Sequence, residues 1–454
     1  PIPQIAAYTA ALPKVTALEK EFNDKGTSKG AAEESVRAIF REKAADADAK
    51  LKALEAGGAA YLAEERAKLE AKLNELKAAN ADPKAIEAAE KALKEFPADP
   101  AAAKAAWTKA KKAAADKAAP VKAHAEPFAA KDEAARTVAK KNFLALIFCL
   151  MVGTAALPHI LMRYYTTPSV KEARISVFWS LFFIFLLYFT APALAVLVKY
   201  EVYHNLVGSA FSALPAWVSN WAAVDKTLMA ITDINKDGIV QLAEITIGND
   251  LVVLATPEIA GLPYVISGLV AAGGLAAALS TADGLLLTIA NALSHDLYYK
   301  MIDPHAPTVR RLAVSKGLLL VVAVIAAYVT SLKPGDILFL VGAAFSLAAS
   351  AFFPALVLGV FWKRANQMGA IIGMLAGLGI CMYYMYMTYP FFGVNAPKWW
   401  DINPISGGIF GIPVGFIGVI VGSLISPAPS KEIQELVDHV RYPNLSGDID
   451  TRAV

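Results

Sequence analysis

The alternation of hydrophobic and polar residues divides the chain into a mostly polar first third and a mostly apolar remainder. From Asn142 onward, apolar runs appear that are long enough to cross about 30 Å of hydrocarbon. They lie at about 143–165, 176–198, 266–297, 313–332, 336–362, 368–389 and 405–426. The pattern therefore predicts seven transmembrane helices.

Residues 14–141 are rich in Ala, Lys and Glu and carry only sparse apolar side chains. Leu62, Leu69 and Leu73 form a narrow stripe with helical spacing, which suits a helical hairpin better than a large core. The pattern is interrupted at Gly57-Gly58, Asp82-Pro83, Pro97 and Pro100. Such breaks favour about four helices joined by short turns. We predict a solvated helical insert, and a docking surface for a partner is the alternative.

Basic residues follow alternate spans and thereby indicate the orientation, because Lys and Arg collect in cytoplasmic loops. They come after the first, third and fifth spans, at Arg163, Lys171, Arg174, Lys300, Arg310, Arg311, Lys316, Lys363 and Arg364. With an odd number of spans, the N-terminal insert is then outside and the C-terminus is cytoplasmic. The predicted organisation is an outer helical insert (1–141), two spans (142–199), an outer loop (200–265), five spans (266–426) and a cytoplasmic tail (427–454).

The composition agrees with a membrane protein that has a polar part. The chain is 56% hydrophobic and only 18% charged, and its mean hydropathy of +0.45 lies outside the usual range of soluble proteins. The net charge of +3 gives no support for a nucleic-acid partner. Cys149 and Cys381 lie in apolar runs and suit neither a disulfide framework nor a zinc site. No nucleophile–base pair or phosphate loop is recognisable, so we do not expect an enzyme.

The segment DINKDGIVQLAE fits the pattern of a calcium-binding loop between two helices. The predicted oxygen ligands are Asp233, Asn235, Asp237, the carbonyl of Ile239 and a bidentate Glu244, with Gly238 at the sharp turn. The segment WAAVDKTLMAI before the loop, and another segment after it, are expected to be helical. The predicted outer location favours a structural Ca²⁺ over a sensor site, and a surface turn without metal is the alternative.

Polar residues inside a transmembrane helix are costly unless they face a cavity or a partner. In the third span, Ala277, Ser280 and Thr281 share a face of small residues with Gly284. Two hydroxyls and a carbonyl suit a hard cation such as Na⁺. The alternative is that each hydroxyl bonds to its own helix. Asp283 lies on the same face and must be paired, protonated or hydrated, and it is a candidate for a solute path.

The first span is interrupted by Gly153, Thr154, Pro158 and His159. A proline inside a membrane helix frees a backbone carbonyl, and transporters build binding sites from broken helices. These residues are therefore candidates for a solute path. An ordinary proline kink near the end of the helix is the alternative.

Three segments together resemble the sodium:solute symporter family, in particular its acetate and monocarboxylate permease branch. They are GTAALPHILMRYYTTPSVKEAR, ALSTADGLLLTIANALSHDLYYK and GVFWKRANQMGAIIGMLAGLG. The third resembles the C-terminal signature of the family, with Gly359, Arg364, Gly369, Ala370, Gly373 and Gly377 in place. The resemblance covers residues 142–430 and implies an all-α membrane protein. Its expected architecture is the second inverted repeat of a LeuT-type core plus two trailing helices, with an extramembrane helical insert.

The resemblance also implies the roles of particular residues. Ala277, Ser280 and Thr281 match the sodium-binding positions of the eighth core helix. The broken sixth core helix corresponds to Gly153–His159, and the tenth to Phe345–Pro354. Phe345 and Ser346 would therefore line the solute path with the broken helix, whereas Asp283 is outside the ligand set of the family.

The expected function is symport without covalent chemistry, in which inward Na⁺ movement drives uptake of a small monocarboxylate such as acetate. The expected location is a bacterial inner membrane, with lipid around the spans. The chain opens at Pro1, so we expect the N-terminal helices of the first repeat to be missing from it. A small membrane subunit docked on the insert is left open. The alternative function is a transporter-derived membrane sensor or partner-binding protein with an external calcium module.

Overall fold

The computed structural model describes residues 3–79, 82–94, 96–130, 132–164, 166–332 and 334–441. The helices of this part of the chain are α1 (Pro3–Asn23), α2 (Ser28–Ala78), α3 (Pro83–Lys94), α4 (Pro100–Ala118), α5 (Glu133–Thr154), α6 (Pro158–Tyr164), α7 (Val170–Glu201), α8 (Ala216–Val224), α9 (Val252–Ile259), α10 (Tyr264–Asn291), α11 (Thr308–Ser331), α12 (Ile337–Ala351), α13 (Phe353–Phe361), α14 (Gln367–Thr388), α15 (Gly408–Ile425) and α16 (Lys431–Arg441). Two short strands, β1 (Met229–Ile231) and β2 (Ile245–Ile247), form an antiparallel pair. The predicted all-α class is confirmed apart from this small sheet.

Seven helical stretches among the described residues are long and apolar enough to cross a membrane. They are Glu133–Tyr164, Val170–Leu206, Tyr264–Ile302, Thr308–Ser331, Ile337–Phe361, Gln367–Thr388 and Pro404–Ile425. Each overlaps one predicted span, so a multi-pass membrane protein is confirmed. The first stretch is broken between α5 and α6, and the fifth between α12 and α13. In the third, α10 continues into the π-helical segment Ala292–Ile302.

The chain forms two compact units. The hydrophilic unit comprises Pro1–Pro127 and Ala193–Ala260, and the membrane unit comprises Phe128–Pro192 and Gly261–Val454. The division between them falls within α7.

In the hydrophilic unit, helices begin where the sequence supplies capping side chains. Thr27 Oγ1 accepts a hydrogen bond from the backbone N–H of Gly30 at 3.0 Å at the start of α2, and Asp99 caps α4 in the same way. These bonds satisfy donors that the first helical turn leaves free. Gly58 bends α2 with a φ of 54°, a conformation that favours glycine. The predicted break at Gly57-Gly58 is thus a kink within one long helix, whereas the later breaks separate α2, α3 and α4.

The core of the hydrophilic unit lies between α1 and the chain that follows α7. Phe22 of α1 is fully buried and packs edge-on against Tyr203, with ring centroids 5.3 Å apart. Strands β1 and β2 pair with Ala230 opposite Thr246. Residues 233–244 connect these strands and are called the acidic loop below.

In the membrane unit, α5, α12, α14 and α15 pack closely and are called the bundle below. Small residues allow their backbones to approach. A Cβ atom on Gly373 of α14 would lie 2.7 Å from the carbonyl oxygen of Gly415 on α15, so no larger residue fits there without movement. Cys149 on α5 and Cys381 on α14 are both fully buried in the bundle. Gly369, Gly373 and Gly377 of the family-like signature therefore act in packing, whereas a Cβ on Gly359 would meet no atom of the described residues within 4 Å.

Helices α10 and α11 of the membrane unit differ from the bundle. They pack against each other, and α10 also contacts α6. Their apolar side chains are otherwise exposed within this chain, and every residue from 271 to 283 is exposed. Gly273 accordingly has no atom within 4 Å of the position that a Cβ would take. Most residues predicted to bind sodium or solute lie on this open helix or on the broken helix beside it.

Candidate functional site

The interruption between α5 and α6 leaves three residues, 155–157, outside regular helix. A Cβ atom on Gly153 would lie 2.6 Å from the carbonyl oxygen of Phe345 on α12, so this glycine permits a close backbone approach. The hydroxyl of Thr154 donates to the carbonyl of Leu150 at 2.7 Å. The predicted break is confirmed, and it brings together two of the residues proposed for a solute path, Gly153 and Phe345.

Helix α6 lies against one face of α10. The guanidinium Nη2 of Arg163 donates to the carbonyl oxygen of Ser280 at 3.3 Å. A Cβ on Gly284, one turn further along, would lie 3.4 Å from the same nitrogen and 3.8 Å from Cβ of His159. Another turn along, the hydroxyl of Thr288 lies 3.0 Å from Sδ of Met162. Helix α6 therefore contacts α10 at the Ser280 carbonyl, at Gly284 and at Thr288, while the Ser280 residue itself stays exposed.

His159 lies at this contact and has a polar atom without a hydrogen-bond partner among the described residues. Its Nδ1 is inaccessible to solvent and has no hydrogen-bond partner among the described residues. An unpaired buried nitrogen is uncommon, because it forfeits its hydrogen bond with water. The ring therefore offers a donor or an acceptor at the contact between α6 and α10.

The residues predicted to bind sodium lie close together on α10. The hydroxyl of Thr281 donates to the carbonyl oxygen of Ala277 at 3.1 Å, so these two oxygens are neighbours. A bond of this kind, from a hydroxyl to its own helix, is the alternative to sodium binding that is expected from the sequence. A hydroxyl oxygen keeps lone pairs while it donates, and it can still face a cation. The oxygen atoms present thus fit a hard cation chemically, although one helix supplies only part of a coordination shell.

Two other predicted residues are placed differently. The carboxylate of Asp283 is exposed within the chain, and no hydrogen bond or ion pair joins it to another described residue. Ser346 is fully buried in the bundle, where its hydroxyl donates to the carbonyl of Ile405 at 2.7 Å. The structure accordingly gives Ser346 a packing contact and leaves Asp283 without a partner in this part of the chain.

From the sequence alone, Arg163 indicates the orientation of the spans. The spacing of Arg163 also indicates that it shares a helical face with His159, because the two residues are four positions apart. The sequence could not show that this face meets Ser280, which lies 117 positions later. Contacts of this range depend on how the helices pack.

The acidic loop has the tight backbone that its sequence predicts. Gly238 has a φ of 74° and donates to Oδ2 of Asp233 at 3.0 Å. Oδ1 of Asn235 accepts from the N–H of Asp237 at 3.2 Å, and Oδ1 of Asp237 accepts from the N–H of Ile239 at 2.8 Å. These bonds fold the first half of the loop around its own acidic side chains.

The elements on either side of the acidic loop are not the predicted helices. Helix α8 ends at Val224, strand β1 precedes the loop, and a single 3₁₀ turn, Leu242–Glu244, leads into β2. The helical prediction is therefore right only for residues 221–224, which end α8, and wrong for the rest of WAAVDKTLMAI and for the residues directly after the loop. β-Branched residues explain the difference, because the run Ile245–Ile247 favours a pleated strand.

Glu244 is the last residue of the acidic loop, and its carboxylate binds backbone N–H groups instead of clustering with the other acidic side chains. Its Oε1 accepts from the N–H of Ile234 at 2.6 Å, and its Oε2 accepts from the N–H of Gln241 at 3.2 Å. Burial raises the pKa of this carboxyl above its ordinary value. No group of three or more His, Cys, Asp or Glu side chains in the described ranges is close enough to hold a metal ion. Calcium binding stays a prediction.

Comparison with known proteins bears on the membrane unit and on part of the hydrophilic unit. A sequence model of the sodium:solute symporter family matches residues 101–377, more than half of the chain. The chain is 50% identical over 444 residues to an uncharacterized symporter of Cupriavidus necator, a match that covers 97% of the chain. The chain therefore belongs to the sodium:solute symporter family.

Two further relatives are more distant. A monocarboxylic acid transporter of Corynebacterium glutamicum is 28% identical over 317 residues, which cover 67% of the chain. The uncharacterized symporter YwcA of Bacillus subtilis is 29% identical over 297 residues, which cover 62% of it. The matches span 64% of the length of the Cupriavidus relative and about half of the other two, 50% and 49%. No solved structure matches the chain.

Proposed function

We propose that the protein performs sodium-driven symport of a small monocarboxylate. Membership of the sodium:solute symporter family supports symport, and the similarity to a monocarboxylic acid transporter supports the class of solute. The observation that carries the proposal is the contact of a broken helix with the oxygen-bearing face of α10. There Arg163 reaches the carbonyl of Ser280, beside the neighbouring oxygens of Ala277 and Thr281.

In the proposed cycle, Na⁺ binds to the carbonyl oxygen of Ala277 and to the hydroxyls of Ser280 and Thr281. Carbonyl and hydroxyl oxygens are the ligand types that a hard cation prefers. Arg163 donates to the Ser280 carbonyl in the absence of the ion, and its positive charge opposes a cation at that place. A carboxylate solute would draw the guanidinium away, because a charge-assisted bond to a carboxylate is stronger than one to a carbonyl. Solute and sodium would then raise the affinity of each other.

Gly153 and the break after Thr154 would serve the movement of α6 in this cycle. The close approach of Gly153 to Phe345 fixes α5 against α12, while three residues outside regular helix separate α6 from α5. A short helix linked in this way can shift against α10 without disturbing the bundle, since a few non-helical residues absorb the change of backbone angles. Asp283 is the remaining proposed participant, as an exposed carboxylate on the proposed solute path.

Uptake of radiolabelled acetate and pyruvate by membrane vesicles that contain the protein tests the proposal. We expect uptake to require an inward Na⁺ gradient. Replacing both hydroxyls, as Ser280→Ala/Thr281→Ala, should raise the Na⁺ concentration for half-maximal uptake by about tenfold or more, because each lost ligand weakens a charge-assisted contact. Thr330→Ala on α11 is the matched control, since its hydroxyl also bonds only to its own helix.

Uptake without any dependence on Na⁺ would contradict sodium coupling. An unchanged Na⁺ dependence in the double variant would contradict the assignment of the ion site alone. Uptake of neither acid, together with Na⁺-driven uptake of another solute class, would contradict the monocarboxylate and leave sodium symport in place.

We also propose that the acidic loop binds Ca²⁺ on the outer side of the membrane. The observation in favour is that Oδ1 of Asp233 and Oε1 of Gln241 are inaccessible to solvent and have no hydrogen-bond partner among the described residues. Oxygen ligands of this kind suit Ca²⁺. Binding would require Glu244 to turn from its two backbone donors toward the loop.

Equilibrium dialysis of the detergent-solubilised protein with radioactive Ca²⁺ tests the loop directly. We expect one bound ion in the native protein and none in Asp233→Asn/Glu244→Gln, because the two variants remove the first and last carboxylates of the loop. Asp46→Asn, a change at an exposed carboxylate on α2, is the matched control. Equal binding by the double variant and the control would contradict the site.

A further inference from the structure

Helix α2 contacts the acidic loop near both ends of the loop, and both belong to the hydrophilic unit. The carboxylate of Glu33 accepts hydrogen bonds from the backbone N–H groups of Leu242 and Ala243, the latter at 3.2 Å. Two residues further along α2, the hydroxyl of Ser35 accepts a bond from Nδ2 of Asn235 at 3.1 Å. The conformation of the loop and the position of α2 are therefore linked by side chains of α2.

Glu33 is an unusual residue among the many charged ones of α2. Its side chain is 1% exposed, whereas Asp46, Asp48 and Glu64 of the same helix pair with lysines one turn away. A buried carboxylate persists only where donors satisfy it, and here two loop N–H groups do so. Movement of the loop end would remove these two donors from a buried carboxylate, so the contact opposes such movement.

A second observation points to a ligand within the acidic loop. Gln241 is 2% exposed, and its Nε2 donates to Oδ2 of Asp237 at 2.5 Å, which places the amide at the acidic side chains of the loop. Its Oε1 has no partner in the described part of the chain, and neither has Oδ1 of Asp233. Two buried oxygens in one short loop thus lack hydrogen-bond donors within the described ranges. Such oxygens suit a cation, because a cation binds directly to their lone pairs.

The charges around the loop agree with this interpretation. Arg37 is the basic residue next to Glu33, and Lys117 of α4 is the one next to Glu244. Asp233 and Asp237 have no ion-pair partner in the described ranges. Glu244 also repels Glu33, because both carboxylates are buried side by side. A divalent cation in the loop would offset the unpaired charges and reduce this repulsion.

We propose that Ca²⁺ in the acidic loop acts as a clasp that holds helix α2 against residues 233–244. Metal occupancy and the contact of Glu33 with Leu242 and Ala243 then stabilise each other, as linkage requires for two events that favour one conformation. The inference rests on the proposed calcium binding and adds to it a consequence, the anchoring of the polar insert. The clasp is structural and has no covalent step.

Hydrogen exchange of the full protein in detergent, measured by mass spectrometry with excess Ca²⁺ or with a chelator, tests the clasp. The readout is the exchange rate of residues 28–44, the part of α2 that carries Glu33 and Ser35. We expect exchange there to slow by about tenfold or more at a Ca²⁺ concentration well above the dissociation constant, because binding to the closed form alone suppresses opening in proportion to occupancy. The membrane unit serves as an internal reference whose rates should not change.

Variants separate the clasp from calcium binding itself. Glu33→Gln should still bind Ca²⁺ in equilibrium dialysis but should lose most of the calcium-dependent protection of residues 28–44. Glu42→Gln, an exposed change on the same helix, should behave as the native protein. The comparison of native protein with and without Ca²⁺ remains decisive if Glu33→Gln does not fold.

Each outcome has a distinct meaning. Absence of Ca²⁺ binding in dialysis overturns the proposed calcium site and the clasp with it. Binding of Ca²⁺ without slower exchange at residues 28–44 overturns the clasp and leaves the site. Binding accompanied by protection that Glu33→Gln abolishes supports both.

Discussion

The bundle and the α10–α11 pair are built from the same kinds of residue, yet they use their polar groups in opposite ways. In the bundle, hydroxyls are buried and bonded to residues outside their own helix, as Ser346 is to Ile405 and Tyr384 to Ile402. On α10, Ser280 and Thr281 are exposed within the chain. Glycines show the same contrast, since a Cβ on Gly373 would clash with a neighbouring backbone and one on Gly273 would meet no atom of a described residue within 4 Å.

The contrast teaches that a polar residue in a membrane helix has no single interpretation. A buried hydroxyl with a partner adds to the packing of its helices, whereas an exposed one adds little and remains available to an ion or a solute. The residue type is identical in both cases. Changes in the bundle should therefore alter stability, and changes on α10 should alter transport.

The two cysteines of the chain provide a direct measure of bundle stability. Cys149 and Cys381 are its only cysteines, and both are fully buried in the bundle. A fluorescent maleimide can react with them only when the bundle opens. The midpoint of the thermal reaction profile thus reports the stability of this region.

The largest effect is expected for Gly373→Leu. Already its Cβ would come within 2.7 Å of the Gly415 carbonyl, so α14 and α15 must separate. We expect a loss of about 3 kcal/mol or more of bundle stability, seen as maleimide reaction at a much lower temperature. Gly273→Leu on α10 is the matched control and should cost less than about 0.5 kcal/mol. Equal losses of stability would show that α10 is as tightly packed as the bundle, which would contradict the proposed difference between the two regions.

A moderate effect is expected for Tyr384→Phe. Tyr384 is fully buried on α14, and its hydroxyl donates to the carbonyl of Ile402 at 2.5 Å. Removal of a buried hydrogen bond should cost about 1 to 2 kcal/mol by the same thermal assay. Tyr328→Phe on α11 removes a hydroxyl from a side chain that is 67% exposed and should leave the midpoint unchanged. A stable Tyr384→Phe protein would contradict the importance of this bond.

The smallest effect on stability, and the most informative for function, is expected for Ser280→Ala and Thr281→Ala. Each should change bundle stability by less than about 0.5 kcal/mol, because neither hydroxyl supports a contact with another helix. Ser350→Ala in the bundle should cost about 1 kcal/mol. If the α10 variants lose stability as Ser350→Ala does, their effect on sodium dependence would have a packing cause, and the site assignment would fail.

The positions of the spans could be predicted from sequence because the membrane interior constrains each segment separately. A backbone without water must satisfy its own hydrogen bonds, so a sufficiently long apolar run forms a helix whatever its neighbours are. The break at Thr154–Pro158 could be predicted for a similar reason, since proline removes a donor within its own helix. By contrast, the residues next to the acidic loop, 229–231 and 245–247, form strands where helix is expected, because their pairing with each other outweighs weak local preferences.

The candidate site could be predicted only in part. Helical spacing placed Ser280, Thr281 and Asp283 near one another, but it could not show which face of α10 meets α6. Nothing in the sequence around Glu33 distinguishes it from the solvated glutamates of α2. Its partners, Leu242 and Ala243, lie 209 and 210 positions away.

The sequence by itself therefore determined the class of the protein: seven spans, a polar helical insert, and the segments that mark the sodium:solute symporter family. These follow from hydrophobicity, spacing and caps, which act within a few turns of chain. Only the tertiary structure decided that Arg163 meets Ser280, that Ser346 belongs to the bundle, and that Glu33 holds the acidic loop. Such contacts depend on the packing of distant elements, and chain-local forces do not fix that packing.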